Sequence, residues 1–378
     1  MKKKSIFLES IIVVVVGFYG CSLTFPTMTL DEFIDLYFPG YGGKSWQVLG
    51  SPGFSAGGTA YTSLYVDNGT PYVAYQDWVN GTKATVMKWN GSSWQPVGSP
   101  GFSAGEAAYI SLYVDNGTPY VAYQDVANGY KATVMKWNGS SWQPVGSPGF
   151  SAGEAAYISL YVDNGTPYVA YQDWVNGTKA TVMKWNGSSW QPVGSPGFSA
   201  GEAYYISLYV DNGTPYVAYQ DWANGYKATV MKWNGSSWQP VGSPGFSAGE
   251  AYYISLYVDN GTPYVAYQDV ANGYKATVMK WNGSSWQVVG SPGFSAGEAA
   301  YISLYVDNGT PYVAYQDVAN GNKATVMRFT GTEWTNVGNP GFSAGAANFI
   351  SLYVDNGTPY VAYQDVANGN KATVMVYK

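Results

Sequence analysis

Read for its alternation of apolar and polar positions, the stretch from Ser99 to Gly146 divides into four short β runs. Tyr109–Asp115, Pro119–Asp125, Lys131–Trp137 and Ser141–Val145 are rich in Tyr, Val, Ile, Thr and Trp, residues suited to a pleated surface, and are called strands A to D. Strand A carries bulk on both faces, Tyr109 and Tyr113 on one and Ile110, Leu112 and Val114 on the other, so it is expected to be covered on both sides. Asn116-Gly117 separates A from B and Asn138-Gly139 separates C from D. Asn-Gly is the strongest short hairpin signal, because both central turn residues need positive φ. The pattern is thus an antiparallel meander. The B-to-C link, Val126 to Tyr130, is longer, and the D-to-A link through Ser147-Pro148-Gly149-Phe150-Ser151-Ala152-Gly153 is longest.

The same pattern returns every 48 residues: Ser51, Ser99, Ser147, Ser195, Ser243 and Ser291 open copies, and Asn339 opens a truncated one. The last copy stops after strand C. The strand it lacks is found upstream of the first, where Lys44-Ser45-Trp46-Gln47-Val48-Leu49-Gly50 matches strand D as it stands in Ser92–Gly98. Residues 43–378 therefore make seven repeats of 48. Four antiparallel strands per unit, a long crossover and a borrowed closing strand predict an all-β fold, a seven-bladed β-propeller whose N-terminal strand completes the C-terminal blade and removes the open sheet edges. Twelve tryptophans on strands C and D read as packing between blades.

On these residues the chain resembles the β-propeller superfamily, whose members commonly close the ring in this way. The kelch Gly-Gly pair after strand B is absent, since that place reads Gln124-Asp125-Val126. Of the sialidase Asp-box only Gly139 and Trp142 remain, and Asp115-Asn116-Gly117 offers one carboxylate where integrin-like calcium blades carry several. The remainder is similar to bacterial surface propellers with recently copied blades, and in style to multivalent propeller lectins.

Ahead of the ring, Lys2, Lys3 and Lys4, the apolar run Ile11 to Gly20 and then Cys21 read as a secretory signal over 1–20. The run is too short to span a bilayer, which takes about 20 apolar residues. Phe18-Tyr19-Gly20-Cys21 resembles a lipobox, although Tyr19 is larger than usual, which makes Cys21 the expected lipidation site. The expected localisation is the cell envelope, surface-exposed and held to the membrane by the lipid anchor only. Residues 21–42 read as a linker in which Thr29–Phe38 fits a short helix, either a spacer or a plug for one mouth of the ring.

Charge and composition narrow the chemistry. Removing residues 1–20 takes three lysines and Glu9 from the 18 basic and 24 acidic residues, leaving 15 and 23 and a net charge of −8. With no basic patch, no nucleic-acid partner is expected. There is no histidine and only one cysteine, so imidazole chemistry, disulfides and thiolate zinc sites drop out, and neither cofactor nor metal is expected. Seven Asp follow strand A and seven end strand B, and five Glu stand in D-to-A links. A catalytic pair needs carboxylates in unlike environments, whereas copied blades give each the same one.

The copies differ mainly on one face. Between units two and five Ala108 becomes Tyr204 and Tyr252, Val126 becomes Trp174 and Trp222, Ala127 becomes Val175, and Tyr130 becomes Thr178. Tracing the meander puts the D-to-A and B-to-C links on this face and the Asn-Gly turns on the other. Exposed loops tolerate change, but Trp and Tyr also offer a flat apolar surface with a polar handle. Candidate ligand-binding residues are therefore Trp222, Tyr226, Tyr204 and Asp221 in unit four, Tyr252, Tyr274 and Asp269 in unit five, and Trp78, Trp174 and Tyr130 elsewhere. The expected function is non-enzymatic recognition of a glycan or surface protein, with a polymer-cleaving enzyme and a bare scaffold as alternatives. Symmetry separates the first two: binding repeats around the ring, whereas catalysis resides once.

Overall fold

The computed structural model describes residues 43–378; the signal, Cys21 and the Thr29–Phe38 segment lie outside the described residues. The chain forms seven four-stranded antiparallel sheets, the blades of a β-propeller. In blade two the strands are A, Ala107–Asp115; B, Thr118–Asp125; C, Lys131–Trp137; and D, Trp142–Pro144, with a 3-10 turn over Val126–Asn128. Strand D is shorter than expected because Ser141 is held by Asn138, whose Oδ1 accepts the Ser141 N–H at 2.9 Å.

Strand A is longer than expected by Ala107 and Ala108, and a bulge follows that extension. Ala108 pairs with Gln124 and Ser111 with Ala122, so Tyr109 and Ile110 together oppose Tyr123. Tyr109 takes a left-handed conformation, φ 50°, repeated by its counterpart in every blade. The bulge turns the Tyr109 ring toward the centre of the disc. There Tyr109, its five tyrosine counterparts and Phe349 form a closed circle with centroids 5.2–5.4 Å apart. Four residues on, Tyr113 and its counterparts form a second circle, 4.7–4.9 Å apart.

The core lies between blades. Tyr120, Ala122, Ala132 and Val134 of blade two pack on Ile158, Leu160, Val162, Val169, Tyr171 and Trp190 of blade three. The junction is stitched by polar bonds as well: the Leu160 N–H donates to Ser111 Oγ at 3.0 Å, Gln124 Nε2 to the Ala155 carbonyl at 2.8 Å and Trp190 Nε1 to the Val145 carbonyl at 2.8 Å. Strand D tryptophans fill the outer part of each junction, Trp142 stacking on Phe102 at 4.2 Å.

Blade seven meets blade one through the same set of contacts. Trp46–Val48 pairs with strand C of blade seven, Trp46 opposite Tyr377, Gln47 opposite Val376 and Val48 opposite Met375. The Leu64 N–H donates to Ser351 Oγ at 3.0 Å and the Ala372 N–H to Ser55 Oγ at 3.0 Å. The ring is closed by hydrogen bonds and apolar packing alike.

Candidate functional site

The face formed by the B-to-C and D-to-A links is built from locked backbone. In blade four the Trp222 N–H donates to the Glu202 carbonyl at 3.1 Å, joining the two links. They touch so closely that a Cβ on Gly201 would stand 2.9 Å from Ala223 Cβ and 3.2 Å from Trp222 Cε3. The B-to-C link then reverses through two successive left-handed residues, Gly225 at φ 70° and Tyr226 at φ 59°. Tyr226 is held there by its N–H, which donates to the Asp221 carbonyl at 2.8 Å, and by its own carbonyl, which accepts the Ala251 N–H of blade five at 2.9 Å.

Six of the ten candidate side chains stand on this face in solvent: Trp78, Trp174, Trp222, Tyr130, Tyr226 and Tyr274 are 37–54% exposed, unusual for rings of this size. Tyr204 and Tyr252 are half-buried and come closer to the axis. Tyr204 sets its edge against Tyr157 of the central circle at 6.0 Å, Tyr252 does the same against Tyr205 at 5.8 Å, and Tyr204 lies 6.5 Å from Tyr226. In blade four Tyr226, Tyr204 and the circle's Tyr157 thus follow one another from the loop to the centre, and in blade five Tyr252 joins the circle at Tyr205.

Each inner tyrosine is paired with a carboxylate. Tyr204 donates its phenol proton to Glu202 and Tyr252 donates to Glu250 at 2.6 Å. The hydrogen bond to the carboxylate, then burial, then the carboxylate's charge push both phenols up to about 12, so they remain neutral donors at physiological pH. Glu202 and Glu250 place an acceptor oxygen beside each inner tyrosine.

Asp221 and Asp269 occupy a different place from the one the sequence suggests. Both are buried, 1% exposed, and serve the fold. Asp221 Oδ2 accepts Asn224 Nδ2 and Thr229 Oγ1, each at 2.8 Å, and Thr229 Oγ1 in turn accepts the Gly245 N–H at 2.8 Å. Asp269 repeats the arrangement with Asn272 at 2.8 Å and Thr277 at 2.9 Å. One carboxylate oxygen therefore ties the 3-10 turn, strand C and the following link together, beneath the face rather than on it. Conversely, the central circle of Tyr109 was not among the residues expected to line a site. The available signal was its constancy: an aromatic residue stands at that place in all seven units, through every change around it.

No protein-family model matches the chain, and no curated protein matches it in sequence. Solved structures of similar fold include the lectin of Aleuria aurantia, a six-bladed fungal propeller described by its fucose recognition, at 18% identity and TM-score 0.51, covering 77% of this chain and 99% of that one. The lectin SapL1, in complex with alpha methyl fucoside, gives 17% and 0.51 over 76% and 97%. An ulvan lyase of polysaccharide lyase family PL25, bound to -[GlcA(1-4)Rha3S]-, gives 13% and 0.55 over 87% and 95%. At these identities the likeness is one of fold.

Proposed function

We propose that the protein is a non-enzymatic, surface-anchored binder of glycans, working through the loop face and most strongly through blades four and five. The observation that carries this reading is the group of exposed Trp222, Tyr226 and Tyr274 beside the carboxylate-bonded Tyr204 and Tyr252. Flat apolar faces match the C–H faces of a sugar ring, while phenols and carboxylates meet its hydroxyls. The fold is shared with two fucose-binding lectins and a polysaccharide lyase, which supports the ligand class and leaves the sugar open.

The backbone gives a second argument. The left-handed position at the end of the B-to-C link suits Asn, and blades six and seven have Asn322 at φ 61° and Asn370 at φ 60°. Blades two, four and five put Tyr there instead, at a conformational cost of about 1 kcal/mol for a residue with a bulky side chain. A loop that merely tolerated change would drift toward Asn. Replacing Tyr226 by Asn is therefore expected to raise the melting temperature and to weaken glycan binding.

A glycan-array screen of the full chain, followed by calorimetry of the hits, tests the reading directly. Trp222→Ala with Tyr226→Ala should weaken binding at least about tenfold, a loss of about 1.4 kcal/mol, and leave the melting temperature unchanged, while Asn322→Ala with Asn370→Ala should do much less. Full binding by a destabilised Trp222 and Tyr226 variant would assign those rings to packing. The lyase counterpart, a single site of polymer cleavage, would show as one binding event per chain and shortened polymer. Similar sites on several blades would raise attachment by avidity, by about 10² to 10⁴.

Surface anchoring through Cys21 belongs to the same proposal. Cys21→Ser should move the protein from the membrane fraction to the soluble fraction, as seen by fractionation and immunoblotting. Retention in the membrane would remove the lipid anchor from the account.

A further inference from the structure

At the loop-face end of the axis lies a well of about 260 Å³, lined by the Tyr109 circle and by Ile110 and its counterparts. Six tyrosines and a phenylalanine enter it from left-handed backbone, φ 49–51°, a conformation disfavoured for bulky side chains. Neighbouring rings of the circle are inclined to one another by 45–52°, close to one-seventh of a full turn. At centroid spacings of 5.2–5.4 Å, rings turned face-on to the axis would overlap at their edges, so they stand edge-on like vanes. Strand A is the innermost strand of each blade, touching strand A of both neighbours, so each Cβ lies outside the circle and the phenol hydroxyls point toward the axis. Burial raises the Tyr157 phenol and then Tyr109, Tyr61 and Tyr253 raise it further; the last two stand two blades away on either side, a coupling across the axis.

Two positions break the symmetry of the well, and they are neighbours. Phe349 drops one phenol in blade seven, and in blade one Thr62 stands where the other six units have Ile. Thr62 is 7% exposed, and its Oγ1 finds no hydrogen-bond partner in the protein. A buried hydroxyl in that state costs free energy that an Ile would not.

We propose that the well is a binding site for a single neutral pyranose sugar, present once per chain and separate from the loop-face aromatics. It goes beyond the loop-face reading and stands whether or not that reading holds. A sugar hydroxyl both donates and accepts, and so does a phenol, so a circle of phenols meets a ring of hydroxyls with neither side left unsatisfied. An anion only accepts, and it finds no Lys or Arg in the lining. An ammonium only donates, and it meets phenols that have protons of their own to place. An apolar ligand would strip the phenols of partners. At about 30 Å³ per water the well has the room of about eight waters, enough for one sugar ring and too little for two. Ile110 and its counterparts supply apolar surface for the C–H groups, and Thr62 adds a hydroxyl off the sevenfold pattern, which selects one orientation of the sugar.

Saturation-transfer NMR and calorimetry on the full chain test the proposal, with the methyl glycosides of glucose, galactose, mannose and fucose, and with cyclohexanol as a ring bearing one hydroxyl. At least one glycoside should bind at least about tenfold more tightly than cyclohexanol, because a site built on hydroxyl bonds rejects a partner that lacks them. Tyr205→Phe removes one hydroxyl and keeps a ring, which Phe349 shows the position accepts; binding should weaken about threefold to tenfold. Thr62→Val should weaken binding by a similar factor, with a melting temperature equal to or above that of the parent. The chain carrying Trp222→Ala with Tyr226→Ala should still bind the glycoside, once per chain. If that chain loses the glycoside while Tyr205→Phe and Thr62→Val keep it, the sugar sits on the loop face, and the axial proposal falls while the loop-face reading stands. Equal binding of cyclohexanol, or no binding by any of the four glycosides, would overturn the axial proposal as well.

Discussion

A chain lacking residues 44–50 is expected to aggregate, or to melt well below the full chain. Those residues hold the only strand of blade seven that comes from the other end of the sequence. Trp46–Val48 covers the outer edge of Lys371–Tyr377, three residues in register. Without it that strand presents unpaired N–H and C=O groups to solvent, a template for pairing with another chain. The Trp46 side chain matters on its own account: its Nε1 donates to the Val337 carbonyl at 2.7 Å and its ring stacks on Phe342 at 4.1 Å. Trp46→Ala should cost about 3 kcal/mol, the lower end for a tryptophan because Trp46 is only half-buried. That is a large share of the roughly 5–15 kcal/mol that holds a domain together. Calorimetric melting with light scattering on both variants checks this. An unchanged melting curve for the deletion would mean that the ring does not depend on its closing strand.

How much of this was legible depends on how local the cause is. Strand C of blade two was read as Lys131–Trp137 and is found there, because alternation is a property of adjacent residues. The Asn138-Gly139 pair after it, by contrast, is not the two-residue turn expected: only Gly139, φ 98°, is left-handed, and Ser140 and Ser141 share the loop. The closing strand was legible because Trp46 sits in a copy of the strand D sequence. The bulge was not. Nothing in the propensity of tyrosine favours φ 50°, and only seven neighbours meeting around one axis make Tyr109 adopt it. Asp221 was misplaced for a related reason. Its partners are Asn224 and Thr229, and through Thr229 the Gly245 of the next unit's link, so its burial is decided across a junction that one unit cannot display. The Tyr204 to Glu202 bond is two residues long and was within reach of the sequence, had the pair been read as a unit.

Raising the pH past about 10 is expected to unfold the ring in one cooperative step, complete within about one pH unit. Two rows of seven phenols carry the effect. In the Tyr123 row burial, then the charge of the Asp two residues on, raises the phenol above the usual 10.0. In the Tyr113 row burial is again the largest cause; in Tyr65, Tyr113, Tyr161, Tyr257 and Tyr305 a neighbouring phenol adds to it, while in Tyr209 and Tyr353 hydrogen bonds from neighbouring phenols partly oppose it. Above 10 the unfolded chain gives up protons that the folded ring retains, so the stabilisation is whole below the unfolded value and is lost as pH rises toward the folded values. Each phenol removes up to about 1.4 kcal/mol per pH unit, and fourteen acting together exhaust a stability of roughly 5–15 kcal/mol within about one unit. The ring therefore falls before its inner tyrosines can ionise in place. Phenolate absorbance and the far-ultraviolet β signal, followed in one alkaline titration, should change at the same pH. A gradual phenolate rise with the β signal intact to about pH 12 would show that water reaches these rings in the folded state, and would contradict the packing between blades on which the fold rests.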